Sequence, residues 1–180
     1  MKKYLLLLCA VLLFAQCKSE QEDPFLIGKD RVGKLLQTHR LTDLDVVYQS
    51  DSLVRDTSNL NMGRNGKIEV YEKGGSHLLT LTPSADSIPG IENIQIRDPR
   101  FTTAEGIHLN STFGDIEKAY EIRKVMGSLN NIVILLKDHP LYVTISREEL
   151  PAALRYGGTD IEPVQIPEKA GIKYIMVAWE

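Results

Sequence analysis

Arg97 and Arg100 flank Asp98 a short way ahead of Thr102, Thr103, Ser111 and Thr112. Two guanidinium groups near a helix start can hold a carboxylate or phosphate, because free amides and positive charge both favour an anion. That chemistry assigns a ligand-binding role to Arg97, Arg100, Ser111 and Thr112. The plainer reading is a strand-to-helix connection, with Asp98 neutralising the arginines and Ser111 or Thr112 capping the helix. The four histidines, His39, His77, His108 and His139, show no helical or hairpin metal spacing. His108 precedes Asp115 and offers an acid–base pair or a metal ligand; a surface histidine fits equally. Gly74-Gly75-Ser76-His77 sets a serine beside a histidine, but the nucleophile-elbow pattern is missing and a hairpin turn explains the glycines. Asp43 and Asp45 open like a calcium loop, without the third ligand or glycine that the loop needs. No phosphate-cradling glycine loop is present. Local signatures of catalysis fail throughout, so binding rather than turnover is expected, with no cofactor and no metal.

The elements that must position these residues follow from periodicity. Thr42 reads as a cap for a short helix ending near Ser50, with Leu44, Val47 and Tyr48 on one face. Ile68 and Val70, then Leu79 and Leu81, alternate with polar residues on either side of Gly74-Gly75, which predicts a hairpin. Ile91, Ile94 and Ile96 predict a further strand. Ser111 or Thr112 caps a second helix whose stripe is Phe113, Ile116, Ala119 and Tyr120. Asn65-Gly66 reads as a turn, Ile132–Leu136 and Leu141–Ile145 as strands, Ser146 and Pro151 as brackets of helical turns with Pro151 a first helical residue and Gly157-Gly158 ending them, and Ile172–Trp179 as a strand inside the sheet. This order predicts an α+β fold, a largely antiparallel sheet with two or three short helices packed on one face.

Leu35, Leu41, Asp43, Leu44 and Tyr48 echo Ile107, Phe113, Asp115, Ile116 and Tyr120 at one constant spacing. The repeated grammar is a glycine, a short apolar strand, a Ser/Thr cap and a helix. It resembles the two-module arrangement of the β-lactamase-inhibitor-like fold, shared with small outer-membrane assembly lipoproteins. The resemblance divides a single domain, 25–180, into two related halves, 25–100 and 101–180.

The chain begins with Lys2 and Lys3, an uncharged apolar run from Tyr4 to Phe14, then Ala15, Gln16 and Cys17. The run is shorter than the roughly 20 residues of a spanning helix, and the order is that of a signal peptide, 1–16. A cysteine at the cleavage point resembles a bacterial lipoprotein signal, which implies acylation of Cys17. A soluble secreted protein cut by the ordinary signal peptidase is the competing reading. Lys18 to Asp23 follows as a polar tether, 17–24, and resembles the export signal of surface lipoproteins in Bacteroidota; a solvated spacer reads the same way. Asp51-Ser52-Leu53 and Asp86-Ser87-Ile88 resemble the O-glycosylation sequence of exported Bacteroidota proteins, which would modify Ser52 and Ser87. Ordinary turn residues account for both as well. As a whole, residues 25–180 resemble a lipoprotein group of Bacteroidota, a likeness that implies no activity.

The chain has 180 residues, a net charge of −3 and two cysteines, Cys9 and Cys17. Cys9 lies inside the apolar run and leaves with the signal, which rules out a disulfide, a thiol nucleophile and a cysteine zinc site in the domain. The acidic balance argues against nucleic acid. The expectation is a non-catalytic, lipid-anchored protein of the outer membrane, facing the periplasm or the cell surface. It would be held by the lipid on Cys17 and bind another envelope protein as an assembly component. A small anionic ligand is the alternative, and a hydrolase comes third. An exposed apolar patch would mark a protein partner, a concave pocket with converging polar groups a ligand.

Overall fold

The computed structural model describes residues 23–56, 66–156 and 161–179. Cys17, the signal, most of the tether, Asn65 and Gly157-Gly158 lie outside the described residues. Strands dominate. β1 (Leu26–Ile27), β2 (Arg31–Val32) and β3 (Leu35–Leu36) come first, followed by a helical turn, Leu41–Asp43 running into Leu44–Val47. Four longer strands follow: β4 (Asp51–Arg55), β5 (Ile68–Glu72), β6 (His77–Pro83) and β7 (Ile91–Ile96). After the two-residue β8 (Thr102–Thr103) comes the helix Phe113–Ala119. The second run is β9 (Ile122–Gly127), β10 (Asn131–Leu136), β11 (Leu141–Ser146) and β12 (Ile172–Ala178).

These strands build two sheets. The larger has eight strands in the order β4-β5-β6-β7-β12-β11-β10-β9, with every neighbouring pair antiparallel. It is therefore two consecutive four-stranded meanders joined through their last strands. The smaller is β3-β2-β1-β8, in which β1 and β8 run parallel. An α+β fold with helices layered on one face does not form, and this corrects the sequence expectation. The Leu44–Val47 and Ala152–Arg155 helices have four residues each and Phe113–Ala119 has seven. Segments this short cannot cover an eight-stranded sheet, and the small sheet shares that task with them. Phe25, Val32 and Phe101, on or beside its strands, pack with buried Leu78 and Leu79 of β6 around one cavity.

Alternation explains the packing. Ile68 and Val70, Leu79 and Leu81, Ile94 and Ile96, Ile175 and Val177, Val143 and Ile145, and Ile132 and Ile134 are all buried. They point to one side of the sheet, as the period of two requires. β10 reads as continuously apolar, yet Val133 and Leu135 are only half-buried because they face the other way.

The echoed segments occupy corresponding points ahead of each meander. The Arg40 amide donates to Asp43 Oδ2 and the Thr112 amide to Asp115 Oδ2, both at 2.8 Å. An acid three residues on thus satisfies an otherwise orphaned amide at each helix start. In the first turn this places the cap at Arg40 rather than at Thr42. Arg40 bridges to Gly90 just before β7, and Thr112 to Gly171 just before β12. Each turn ends on a tyrosine whose amide closes it, Tyr48 onto the Leu44 carbonyl at 2.9 Å and Tyr120 onto the Ile116 carbonyl at 2.8 Å.

Ile94 lies fully buried in the strand that joins the meanders. Ile94→Ala is expected to cost about 2–5 kcal/mol in urea unfolding. Ile88→Ala, at a residue 68% exposed, should stay within about 0.5 kcal/mol of the parent.

Candidate functional site

Asp98 is buried, and Arg100 folds back over it. Arg100 Nε lies 3.0 Å from Asp98 Oδ1 and one terminal nitrogen 2.9 Å from Oδ2, while the Arg100 amide also donates to Oδ1 at 2.9 Å. The same guanidinium reaches Glu72 of β5 through two bonds, 3.1 and 3.0 Å, and stacks 4.4 Å from the centre of the Phe25 ring. Two carboxylates and a ring therefore occupy Arg100. These bonds hold the Asp98 carboxyl below the usual carboxylate range and push the Arg100 guanidinium further up.

Arg97 turns elsewhere. Its Nε donates to Thr80 Oγ1 at 3.0 Å, and that hydroxyl donates to Glu69 Oε2 at 2.7 Å. His77 completes the cluster, its Nε2 beside the same Glu69 oxygen and its ring stacked 4.5 Å from Tyr71. The histidine of the Gly-Gly-Ser-His turn thus faces a carboxylate on the neighbouring strand. Ser111 is buried and its Oγ accepts from the His108 amide at 3.1 Å. Thr112 uses both its amide and its hydroxyl on Asp115, which holds that carboxyl below its usual range. His108 Nδ1 accepts from the Asn110 amide at 3.2 Å. The four residues assigned to one anion site are thus engaged with four different sets of partners. Ser52 is exposed on β4 and Ser87 in the bend before β7. Asp43 caps its helical turn and Asp45 pairs with Arg55 at 3.0 Å. Among the described residues no group of three His, Cys, Asp or Glu side chains is placed to hold a metal ion.

A second polar cluster escaped the sequence reading. Tyr120 donates its hydroxyl to the Glu105 carboxylate, and the Tyr120 ring lies 5.3 Å from the His139 ring. That bond lowers the Glu105 pKa, and burial together with the same bond raises that of Tyr120. His139 Nδ1 accepts from the Leu141 amide at 3.0 Å, which leaves the proton of the neutral ring on Nε2. Burial, and then the nearby Lys29 charge, push its pKa down.

The sheet's outward face carries the broadest feature. One row of paired residues crosses all eight strands: Val54, Glu69, Thr80, Gln95, Met176, Tyr142, Leu135 and Lys124. Across the first meander that row carries an exposed Val54 on the edge strand and then polar Glu69, Thr80 and Gln95, and Glu69 and Thr80 are bonded into the Arg97 and His77 network. Beyond Gln95 the character changes. Met176, Tyr142 and Leu135 are half-buried with apolar bodies, and Tyr174, Val133 and Met126 lie beside them on the adjoining row. Tyr142 is tied across β12 to Asn93, its oxygen 2.6 Å from Nδ2. An antiparallel sheet that turns one face to water normally alternates to polar residues there. In the second meander these two rows turn polar only at Thr144 and Lys124.

No family model matches the chain, and no curated protein matches it. Among solved structures it is similar to the uncharacterized protein yfeY from Escherichia coli. That similarity has 13% identity and a TM-score of 0.49, covering 84% of this chain and 97% of that one.

Asp98 supplies a pH test. A carboxylate whose folded pKa is depressed stabilises the protein above its unfolded pKa, and the contribution is lost as pH falls through the folded value. Asp98→Asn is therefore expected to lower the urea midpoint near neutral pH. The difference from the parent should shrink below about pH 4, as urea midpoints across an acid titration would show.

Proposed function

We propose that this is a non-catalytic, lipid-anchored envelope protein that binds another envelope protein through the outward face of its second meander. The observation that carries the reading is the apolar run Met176, Tyr142 and Leu135, set beside first-meander strands whose outward Glu69 and Thr80 are tied into a polar network with Arg97 and His77. Exposed apolar area in one contiguous patch is the usual mark of a protein contact. Aromatic residues and methionine are the types enriched at such contacts.

Anchoring rests on the signal pattern and Cys17. Stable attachment takes about two acyl chains, since a single chain gives only reversible binding. The described chain begins at Asp23, beside Phe25 and β1, in the small sheet rather than in the second meander. The edge strand β9 carries Arg123 and Lys124, both exposed, and charge on an edge discourages strand addition. A partner is accordingly expected on the face of the sheet rather than along its edge.

Crosslinking in intact cells, followed by purification through a C-terminal tag, tests the reading. The parent should recover one envelope protein in near-equal amount. Leu135→Lys with Met176→Lys should lose that protein while keeping the parent's melting temperature, since both side chains are outward. Cys17→Ser should abolish acyl labelling and move the chain out of the membrane fraction. Recovery of the parent alone, or unchanged recovery with the double variant, would overturn the proposed contact.

A further inference from the structure

The turn after β1, the hairpin between β10 and β11, and the end of β12 meet around a cavity of about 510 Å³ that opens to solvent. Hydrogen bonds to main-chain carbonyls hold all three in place. The Trp179 indole donates to the Lys29 carbonyl and the Ala178 amide to the Pro140 carbonyl, both at 3.0 Å. The Lys137 amide donates to the Glu121 carbonyl at 2.9 Å, which ties the hairpin to the residue just before β9. Lys29, Arg123, Asp138 and His139 are the charged and titratable groups of the lining. Leu135, Tyr142 and Trp179 give it an apolar, largely aromatic wall. Small-molecule sites run from about 300 to 1,000 Å³ and combine such a wall with a few polar groups.

The charges on this lining do not cancel. Lys137 of the same hairpin pairs with Glu121 at 2.8 Å, whereas no described carboxylate forms an ion pair with Lys29 or Arg123. Asp138 is the single acid among the described lining residues, so two fixed positive charges stand against one negative. Lys29 and Arg123 are exposed and His139 is half-buried, which leaves all three within reach of a molecule from solution. His139 Nδ1 already accepts from the Leu141 amide, and no described acceptor takes the Nε2 proton. Around that ring stand Lys29 of the turn after β1, Glu105 after β8, Tyr120 at the end of its helix and Asp138 of its own hairpin. Burial, and then the Lys29 charge, hold the His139 pKa down against the upward pull of Glu105. The positive field of Lys29 therefore outweighs that of Glu105 at the ring.

We propose that this cavity binds a small monocarboxylate with a flat apolar body, its charge answered by Lys29 and Arg123 and its body lying on the Trp179, Tyr142 and Leu135 wall. Guanidinium and carboxylate are planar and match each other's geometry. One negative charge balances the excess of one positive, and a dianion would set its second charge against Asp138. A neutral molecule would leave the lysine and the arginine unanswered. Leu135 and Tyr142 also border the proposed contact face, yet binding here requires no partner protein.

The probes are 1-naphthoate, the neutral 1-naphthalenemethanol and acetate, titrated into the full chain in lipid nanodiscs. NMR follows the indole N–H of Trp179, the chain's single tryptophan, and the ring of His139. 1-Naphthoate is expected to shift both and to bind roughly tenfold more tightly than the alcohol or acetate. Lys29→Gln with Arg123→Gln removes two exposed charges, so its melting temperature should match the parent's. That variant should lose the tenfold preference for naphthoate and bind the alcohol as the parent does. Saturating naphthoate should also raise the His139 pKa, because an added negative charge favours the protonated ring, whereas the alcohol should not. Unmoved Trp179 and His139 resonances, equal affinity for naphthoate and either control, or a double variant that binds naphthoate as the parent does would each overturn the proposal. An unraised His139 pKa would overturn it too, by putting the bound carboxylate elsewhere. None of these titrations involves the crosslinked partner, so the cavity and the contact face stand or fall separately.

Discussion

Antiparallel pairing of β7 with β12 holds the two meanders together. Three paired positions, Gln95 with Met176, Ile94 with Val177 and Asn93 with Ala178, join strands far apart in the chain, and the Trp179 amide adds a bond to the Glu92 carbonyl at 2.9 Å. Without this seam each meander would end on an unpaired edge and present half of a core to water. With it, Ile94, Ile96, Ile175 and Val177 lie side by side at the centre of one buried face, and the outward faces become continuous as well. The bond between Asn93 and Tyr142 spans the seam on that outer side. The apolar patch on the outward side of the second meander ends at this seam, where Met176 pairs with Gln95.

The two meanders share a scaffold and differ in how their polar groups are settled. Asp43 and Asp115 make the same capping bond, so both helical turns start alike. Their outer faces diverge: Glu69, Thr80, His77 and Arg97 bond among themselves, while Leu135, Tyr142 and Met176 have no such network. Inside, the divergence runs the other way. The second half satisfies its tyrosine with Glu105, and the first leaves the corresponding Tyr48 hydroxyl buried with no partner among the described residues.

Strong local signals were legible in the sequence and non-local ones were not. Ile68 and Val70, Leu79 and Leu81, and the Thr112–Asp115 cap each announce an element within a few residues, because alternation and capping are short-range patterns. The two edge strands were missed for a physical reason. Asp51-Ser52-Leu53-Val54-Arg55 and Ile122-Arg123-Lys124-Val125-Met126-Gly127 carry the charge that protects a sheet edge, and charge blurs the apolar alternation by which a strand is read. β1, β2, β3 and β8 have two residues each, too few to show any period. Missing these strands left the helices overweighted, hence the α+β expectation. Asp98 and Arg100 are close in sequence, but Glu72 and Phe25 reach Arg100 only through the fold, as Glu69 and Thr80 reach Arg97 and His77. Nothing near Tyr48 in the sequence shows that its hydroxyl lacks a partner.

β1 is among the first structured parts of the chain to be made, yet it is fastened by some of the last. It lies parallel to β8, and the Lys29 carbonyl in the turn just after it accepts a bond from the Trp179 indole at 3.0 Å. Contacts between residues so distant in sequence wait for the intervening chain, and parallel pairs close more slowly than hairpins. The turn after β1 is thus tied down by a residue 150 positions further along the chain. Without the Trp179 indole, β1 would keep its pairs with β2 and β8 while the turn that follows it came loose from the end of β12, so the two small strands would still form with one side of their turn untied.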